Sequence, residues 1–360
     1  MSPIKSTQSR TGGRLLRGGR TTDVTSDIDG NSSEISGKRE DNLTTLLTVS
    51  GGTKIESGND RYHVFTSPGT FTTGAQLTAE VLVVAGGGSG AGAAYGAGGG
   101  AGGVLHAPST SIAKGRYDVT VSGQGYYGGF YNTGGDGDTS SFADAIAIGG
   151  GGGTGYLNGP ADRRGPTAGT ITRKGRAGGS SGGSGVAEPG SPVSPDAVLP
   201  QPAPGDYTPY GNLGGAGGGA SGPADYAAGG GGGAGSVGTN AATNGLGVAG
   251  GNGRAFPSFP APVIQPGIPS PVRPAWTPVV GPTGLFAGGG SAATYYNNGA
   301  AAGITPGGGG AGAGPTSAPG GDGVRFTGSG GGGGNYPQHP FTGWGGKGAE
   351  GIVIVKYSVA

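Results

Sequence analysis

Glycine fills 94 of the 360 positions, and almost all of it lies between two apolar runs, EVLVVAGGG from Glu80 to Gly88 and GIVIVKY near the end of the chain. Glycine loses more backbone freedom on folding than any other residue, so such a chain resists order unless the missing side chains are themselves useful. The glycines gather into tracts at 86–103, 123–137, 149–155, 211–222, 229–238, 245–253, 288–290, 307–314, 328–334 and 343–351. With 27 prolines added, the composition reads as low-complexity disorder unless a regular backbone intervenes. Collagen requires glycine at every third position, and runs such as Gly149 to Gly153 and Gly229 to Gly233 break that triplet. The remaining ordered solution is a bundle of extended helices with three residues per turn. These make no internal hydrogen bonds and point every N–H and C=O outward. Without side chains, neighbouring tracts approach closely and pair those groups laterally. A ten-residue tract would span roughly 31 Å at that rise.

Only 32% of the residues are hydrophobic, too few for a conventional core of this length, and cysteine is absent, which fits a reducing compartment. No apolar run of about 18 residues suggests a membrane-spanning helix, and the basic N-terminus lacks the apolar stretch of a signal peptide. A net charge of +1 selects neither nucleic acid nor membrane as a partner. Strand signals are clearer. RYHVFTSPGTFT (61–72) reads as a hairpin turning at Ser67-Pro68-Gly69, VLVVA as a strand buried on both faces, and YDVTV (117–121), ADAIAI (143–148) and IVIVKY (352–357) as further strands. The expected fold is therefore all-β and irregular. A small β-sheet collar at 61–85, 115–122, 142–148 and 352–357 gathers a bundle of polyglycine helices with long loops and almost no α-helix. Residues 1–60 read as a separate attachment arm, basic at Lys5, Arg10, Arg14, Arg17 and Arg20, and residues 61–360 as the glycine-rich domain.

Signs of catalysis are weak. Gly86, Gly88 and Ala91 imitate a dinucleotide fingerprint, but no helix opens there and no acid follows at the ribose-binding distance. GGSSG (178–182) matches a nucleophile pattern that chance alone supplies at this glycine content. Asp136 and Asp138 imitate a single calcium-binding turn and read better as a turn before a strand. His63 reads as a packed or edge-exposed strand residue. No catalytic residue, metal or cofactor is expected. The inserts carry the recognition signal instead. Aromatic clusters occur at Tyr126, Tyr127 and Tyr131; Tyr207 and Tyr210; Phe256, Phe259 and Trp276; Tyr295 and Tyr296; and Tyr336, His339 and Trp344. Aromatic rings among Gly, Ser and Asn supply rigid contact area with adaptable hydrogen bonding, and they also suit sugars. Sealing the sides of the bundle is the plainer role for any one ring. Arg163, Arg164, Arg173, Lys174 and Arg176 form a basic insert suited to anionic glycan groups, or simply a solvated loop.

HVFTSPGTFT, EVLVVAGGGSGAG, YDVTVSGQG with GGDGDTSSF, and the closing GIVIVKY together resemble the glycine-rich domain of phage tail fibres and related adhesins, over about residues 61–360. The resemblance implies a non-enzymatic virion protein, made in the host cytoplasm, that binds a host surface glycan or outer-membrane protein through loops between its tracts. It also implies docking to other tail or fibre proteins through the N-terminal arm, with Arg10, Arg14, Arg17 and Arg20 as candidate contacts. The alternative is a structural virion component, a capsid decoration or fibre shaft, without receptor contact. Homotrimer and monomer both fit. Two inserts, 186–210 and 254–287, hold 16 of the 27 prolines and read as rigid recognition loops.

Overall fold

The computed structural model describes residues 48–92, 95–128, 133–155, 174–186, 193–218, 227–241, 245–294, 302–314, 318–335 and 343–359. The chain alternates short strands with extended tracts. The first strands are β1 (Val49–Ser50), β2 (Thr53–Ser57), β3 (Asp60–Phe65), β4 (Gly69–Thr73) and β5 (Leu77–Val84). Then come β6 (Val104–Ile112), β7 (Gly115–Thr120), β8 (Ser140–Phe142), β9 (Ala145–Ala147) and β10 (Thr208–Tyr210). The insert at 254–287 contributes β11 (Arg254–Ala255), α1 (Ala261–Ile264), α2 (Arg273–Val280) and β12 (Leu285–Phe286), and β13 (Ile352–Ser358) closes the collar.

Two antiparallel sheets form that collar, one in the order β10-β6-β5-β13-β3-β2 and one in the order β1-β4-β7-β8-β9. The two apolar runs are direct neighbours, with Val83 opposite Val353 and Ile354 opposite Leu82. Alternation along β5 sends Val81 and Val83 into a core between the two sheets, with Phe65, Phe71, Phe142, Val353 and Val355. Leu82 and Val84 face the other way, with Ile352 and Ile354, into a second core. Both faces are covered, which is why VLVV shows no polar alternation.

The second core corrects the reading of the 254–287 insert. Phe256, Phe259, Ile264, Ile268, Trp276 and Phe286 lie buried on the six-stranded sheet. The insert is a lid over the collar, not a recognition loop, because the outer face of an all-apolar sheet must be covered by something. Its helices have four and eight residues, and proline stands in the first turn of each, where its missing N–H leaves no bond unmade. The other proline-rich insert also returns to the collar. Ile146 N–H donates to the Pro202 carbonyl at 3.1 Å, and β10 pairs with β6.

Two further expectations change. Residues 61–72 do not form a hairpin: β3 pairs with β2 and β13, whereas β4 pairs with β1 and β7. The Ser67-Pro68-Gly69 corner carries the chain from one sheet to the other, so that Phe65 and Phe71 meet in the shared core. The boundary expected near residue 60 falls inside the collar, since β2 pairs with β3 from Thr53 opposite Val64 to Ser57 opposite Asp60.

Beyond the collar the tracts form a hydrogen-bonded lattice. Gly86, Gly87 and Gly88 donate to the carbonyls of Asp138, Ala349 and Gly100, and Ser89, Gly90 and Ala91 then donate to Gly135, Gly346 and Ala97. Each neighbour recurs after three residues and its partner number falls by three. That is the signature of a threefold extended helix among antiparallel neighbours. Residues 97–103 are the most surrounded. Ala97, Gly100 and Gly103 donate to Thr154, Gly151 and Ile148, Gly98 and Ala101 to Gly229 and Gly232, and Gly99 and Gly102 to Gly331 and Gly328. The same residues accept bonds from Gly88, Gly183 and Gly290. Parallel and antiparallel neighbours serve equally, because the bonds radiate in three directions.

Close approach explains the glycine. A Cβ on Gly99 would lie 2.1 Å from the Gly88 oxygen, and one on Gly231 would lie 1.9 Å from the Gly99 oxygen. Alanine is admitted only in slots such as Ala97, Ala228 and Ala292, which form a small apolar cluster with Val248. Serine and threonine substitute for carbonyl acceptors: Ser181 Oγ accepts from Gly214 N–H at 2.9 Å, and Thr154 Oγ1 from Gly185 N–H at 2.8 Å.

Candidate functional site

The lattice has two distinct ends. Ala85, Gly103, Ile148, Gly328 and Ala287 are joined to the collar side by their backbone bonds. At the opposite pole, a chain of bonds runs from Gly334 to Ala91, Ala97, Thr154 and Gly183, and a second runs from Thr294 to Ala313 and Gly333. Six residues of extended helix separate Ala85 from Ala91, roughly 19 Å at a rise of 3.1 Å. The far pole is where the described tracts end.

On the flank beside that pole, segment 123–128 runs along segment 343–348. Gly125 N–H donates to the Gly348 carbonyl at 3.0 Å, and Gly128 bridges Gly345. This pairing sets Tyr127 against Trp344, edge to face, with centroids 6.3 Å apart, and Lys347 Nζ lies 4.3 Å from the Tyr127 centroid. Tyr126 is 70% exposed, Tyr127 49% and Trp344 45%. The Tyr126 carbonyl accepts from Ser89 Oγ, and Lys347 N–H donates to Asp322 Oδ1 at 2.8 Å, so the backbone under the rings is anchored to the lattice. The result is a firm aromatic surface with one ammonium beside it, suited to a ring-bearing or apolar ligand. Sequence reasoning missed Lys347 and Asp322. Their signal is that a charged side chain inside a glycine tract has to sit at the lattice edge.

The other expected aromatics separate sharply. Phe256, Phe259 and Trp276 are removed from the candidate contact set, because they fill the core under the lid. The Trp276 indole N–H donates to the Phe326 carbonyl at 3.2 Å. Tyr210 is half-buried on β10, under the Arg254 guanidinium at 4.0 Å. Tyr207 packs half-buried at the collar. Tyr131, Tyr295, Tyr296, Tyr336 and His339 lie outside the described residues, as do Arg163, Arg164, Arg173 and the arm residues Arg10, Arg14, Arg17 and Arg20.

Of the basic insert, Arg176 is corrected: its guanidinium holds Asp136 Oδ2 at 2.6 Å, and Asp136 Oδ1 accepts from Gly152 N–H at 3.0 Å. Both partners bind the lattice rather than an incoming anion. The same bonds use both oxygens of Asp136, and the GGDGDTSSF turn leads directly into β8, as the simpler reading of that segment expects. Lys174 stands 4.0 Å from Asp196 at the surface. The fingerprint-like Gly86–Ala91 run has all six of its N–H groups bonded to neighbouring carbonyls. Ser180 and Ser181 of the GGSSG segment are buried, accepting from Asn212 and Gly214 N–H.

Two titratable groups hold the collar. His63 is buried between the sheets, stacked on Tyr357 and edge-on to Phe71, and its Nδ1–H donates to the Gly51 carbonyl at 2.6 Å. Burial lowers its pKa, and nearby Lys54 adds to that. Glu80 sits at a bulge in β5, between His106 Nε2 at 2.9 Å and Lys356 Nζ at 3.5 Å. Burial alone would raise its pKa, but hydrogen bonds from His106 and Ser258 and the charge of Lys356 bring it below the ordinary value. Tyr62 beside them is pushed up to about 12 by burial and by the charges of Asp60 and Glu80.

A sheet collar capped by a helical lid, with a lattice of threefold tracts rising from it, defines a class of glycine-lattice proteins whose large side chains lie in the collar or at the edges of the lattice. The chain belongs to the glycine-rich domain family, whose pattern matches residues 66–358. A search of characterised proteins finds no match to it. Among the described residues, no helix is long and apolar enough to cross a membrane.

Proposed function

We propose that the protein is a phage tail-fibre or fibre-tip adhesin that binds a host cell-surface receptor at the far pole of its glycine lattice. The observation that carries the reading is the exposed Tyr126, Tyr127 and Trp344 surface beside that pole, held rigid by backbone bonds on the side away from the collar. Contiguous exposed aromatics are the residues that dominate binding energy, and a preformed surface limits the entropy lost on association. The resemblance of the strand and turn segments to phage fibre domains supplies the biological context. On this reading the protein is a virion component, made in the host cytoplasm and attached through its N-terminal segment to other tail or fibre proteins, and its role is binding rather than catalysis. The receptor is a surface glycan or an outer-membrane protein.

Binding of labelled full-length protein to a panel of bacterial cells tests this. The Tyr127→Ala/Trp344→Ala double variant should lose about 2 kcal/mol, roughly thirtyfold in Kd, while keeping its unfolding midpoint. Absence of cell binding by the wild-type protein, or unchanged binding by the folded double variant, overturns the adhesin reading. What would then remain is a capsid decoration or fibre shaft without receptor contact.

A further inference from the structure

A concave surface lies at the other end of the molecule, on the collar. A groove of ≈ 230 Å³ is lined by Thr110, Ser111, Tyr117, Phe142, the β8–β9 turn at Ala143 and Asp144, and Tyr207. Its rings are fixed. Tyr117 stacks on Phe142 at 5.8 Å and 19°, and its hydroxyl donates to the Ala113 carbonyl at 2.9 Å. Tyr207 packs its ring on the inter-sheet core, and its hydroxyl makes no hydrogen bond to any described residue. Burial raises its pKa above the ordinary tyrosine value, and at neutral pH the hydroxyl is a protonated donor with or without that shift. Across the groove, Ala143 has φ of 51°, a left-handed conformation that an L side chain enters at a cost of about 1–2 kcal/mol. That turn puts Asp144, an exposed acceptor and the only charged one among the described residues that line the groove, at the rim.

We propose that this groove is a binding subsite for one neutral hexopyranose unit. The partly positive C–H edge of a sugar ring suits the negative face of a locked aromatic ring. Vicinal hydroxyls need both a donor and an acceptor, which Tyr207 and Asp144 supply. The volume is below the roughly 300 Å³ at which pockets for larger ligands begin, which suits one ring. An anionic sugar is disfavoured, because the one charge at the rim is negative. The site does not depend on the adhesin reading, since it lies at the opposite end from Tyr127 and Trp344.

Saturation-transfer difference NMR on the full chain tests it, with methyl α-glucopyranoside, galactose and N-acetylglucosamine each at about 10 mM, above the roughly millimolar Kd expected of so small a ligand. At least one sugar should receive saturation. The signal should fall at least threefold in Asp144→Ala, which removes the exposed acceptor, and in Tyr207→Phe, which removes the donor, and should persist in Tyr127→Ala/Trp344→Ala. No transfer to any of the three sugars overturns the proposal, as does a signal that survives Asp144→Ala/Tyr207→Phe. A signal lost only in Tyr127→Ala/Trp344→Ala also overturns it, and assigns sugar binding to the pole instead.

Discussion

The collar and the lattice pair their backbone groups by different geometries, and each geometry dictates what side chains do. In the collar, hydrogen bonds lie in the plane of each sheet, which leaves two faces that only apolar side chains can cover. Val81 and Val83 serve one face, Leu82 and Val84 the other, and the lid brings Trp276, Phe259 and Ile264 to complete the second core. In the lattice, hydrogen bonds radiate around each tract, so no face is left to cover and a side chain is an obstruction. The same groups are satisfied in both regions; what differs is whether burial of side chains or their absence makes satisfaction possible. One molecule can therefore be both glycine-rich and well ordered, provided that an apolar collar brings the tracts into register.

The contrast breaks most severely at the lattice centre. Gly99→Val places a branched side chain where a Cβ alone would lie 2.1 Å from the Gly88 oxygen, in a tract surrounded on all sides. No cooperative unfolding transition should survive, as read by chemical denaturation and hydrogen exchange. A Gly99→Val protein with wild-type stability would show that the tracts are loosely held. In the collar the sign of the volume change reverses. Trp276→Ala should cost about 3–5 kcal/mol by emptying the core under the lid, with faster amide exchange in residues 254–287 and protection retained in residues 97–103. Loss of protection in the lattice first would contradict the separation of the two regions.

Smaller effects sharpen the comparison. Ser181→Ala leaves the buried Gly214 N–H without its acceptor and should cost about 1–3 kcal/mol, whereas a lattice held only by shape would tolerate it. The pH dependence is smallest and belongs to the collar. His63 is neutral when folded and its folded pKa is lowered, so the unfolded chain takes up a proton first as pH falls below about 6.5. Its contribution is complete above that pH and is lost as pH falls toward the lowered folded value. The lowered Glu80 pKa acts further down: its contribution is present above about 4.5 and lost as pH falls through the folded value. The denaturant midpoint should drop between pH 7 and pH 5 in the wild type and stay flat over that interval in His63→Asn. An equal drop in both proteins would assign the effect elsewhere.

Legibility in the sequence followed the same division. VLVV and IVIVKY read correctly as strands because neither run alternates and each adjoins a glycine tract at one end. The tracts read correctly as laterally bonded backbone. β6 was not legible, because VLHAPSTSI carries a proline and a polar run, yet it pairs along the whole of β5 with a bulge at Ala79 to Val81. The proline-rich inserts read as loops since proline ends most helices, but α1 and α2 each place a proline in the first turn, where it is harmless, and α2 also carries Pro278 in its interior. Of the candidate contacts, Tyr126, Tyr127 and Trp344 are exposed, while Phe256, Phe259 and Trp276 have the same chemistry and the opposite environment.

By itself, then, the sequence determined the building principle. Tract composition demands backbone-to-backbone bonding, and the apolar runs demand a sheet buried on both sides. Only the tertiary structure decided which tract lies beside which, which insert covers the collar, and which rings face water. Every glycine tract offers the same N–H and C=O groups in the same threefold arrangement, so its local sequence carries almost no information about its neighbours. That information is supplied by the few positions where an alanine, a serine hydroxyl or a collar strand fits in only one place.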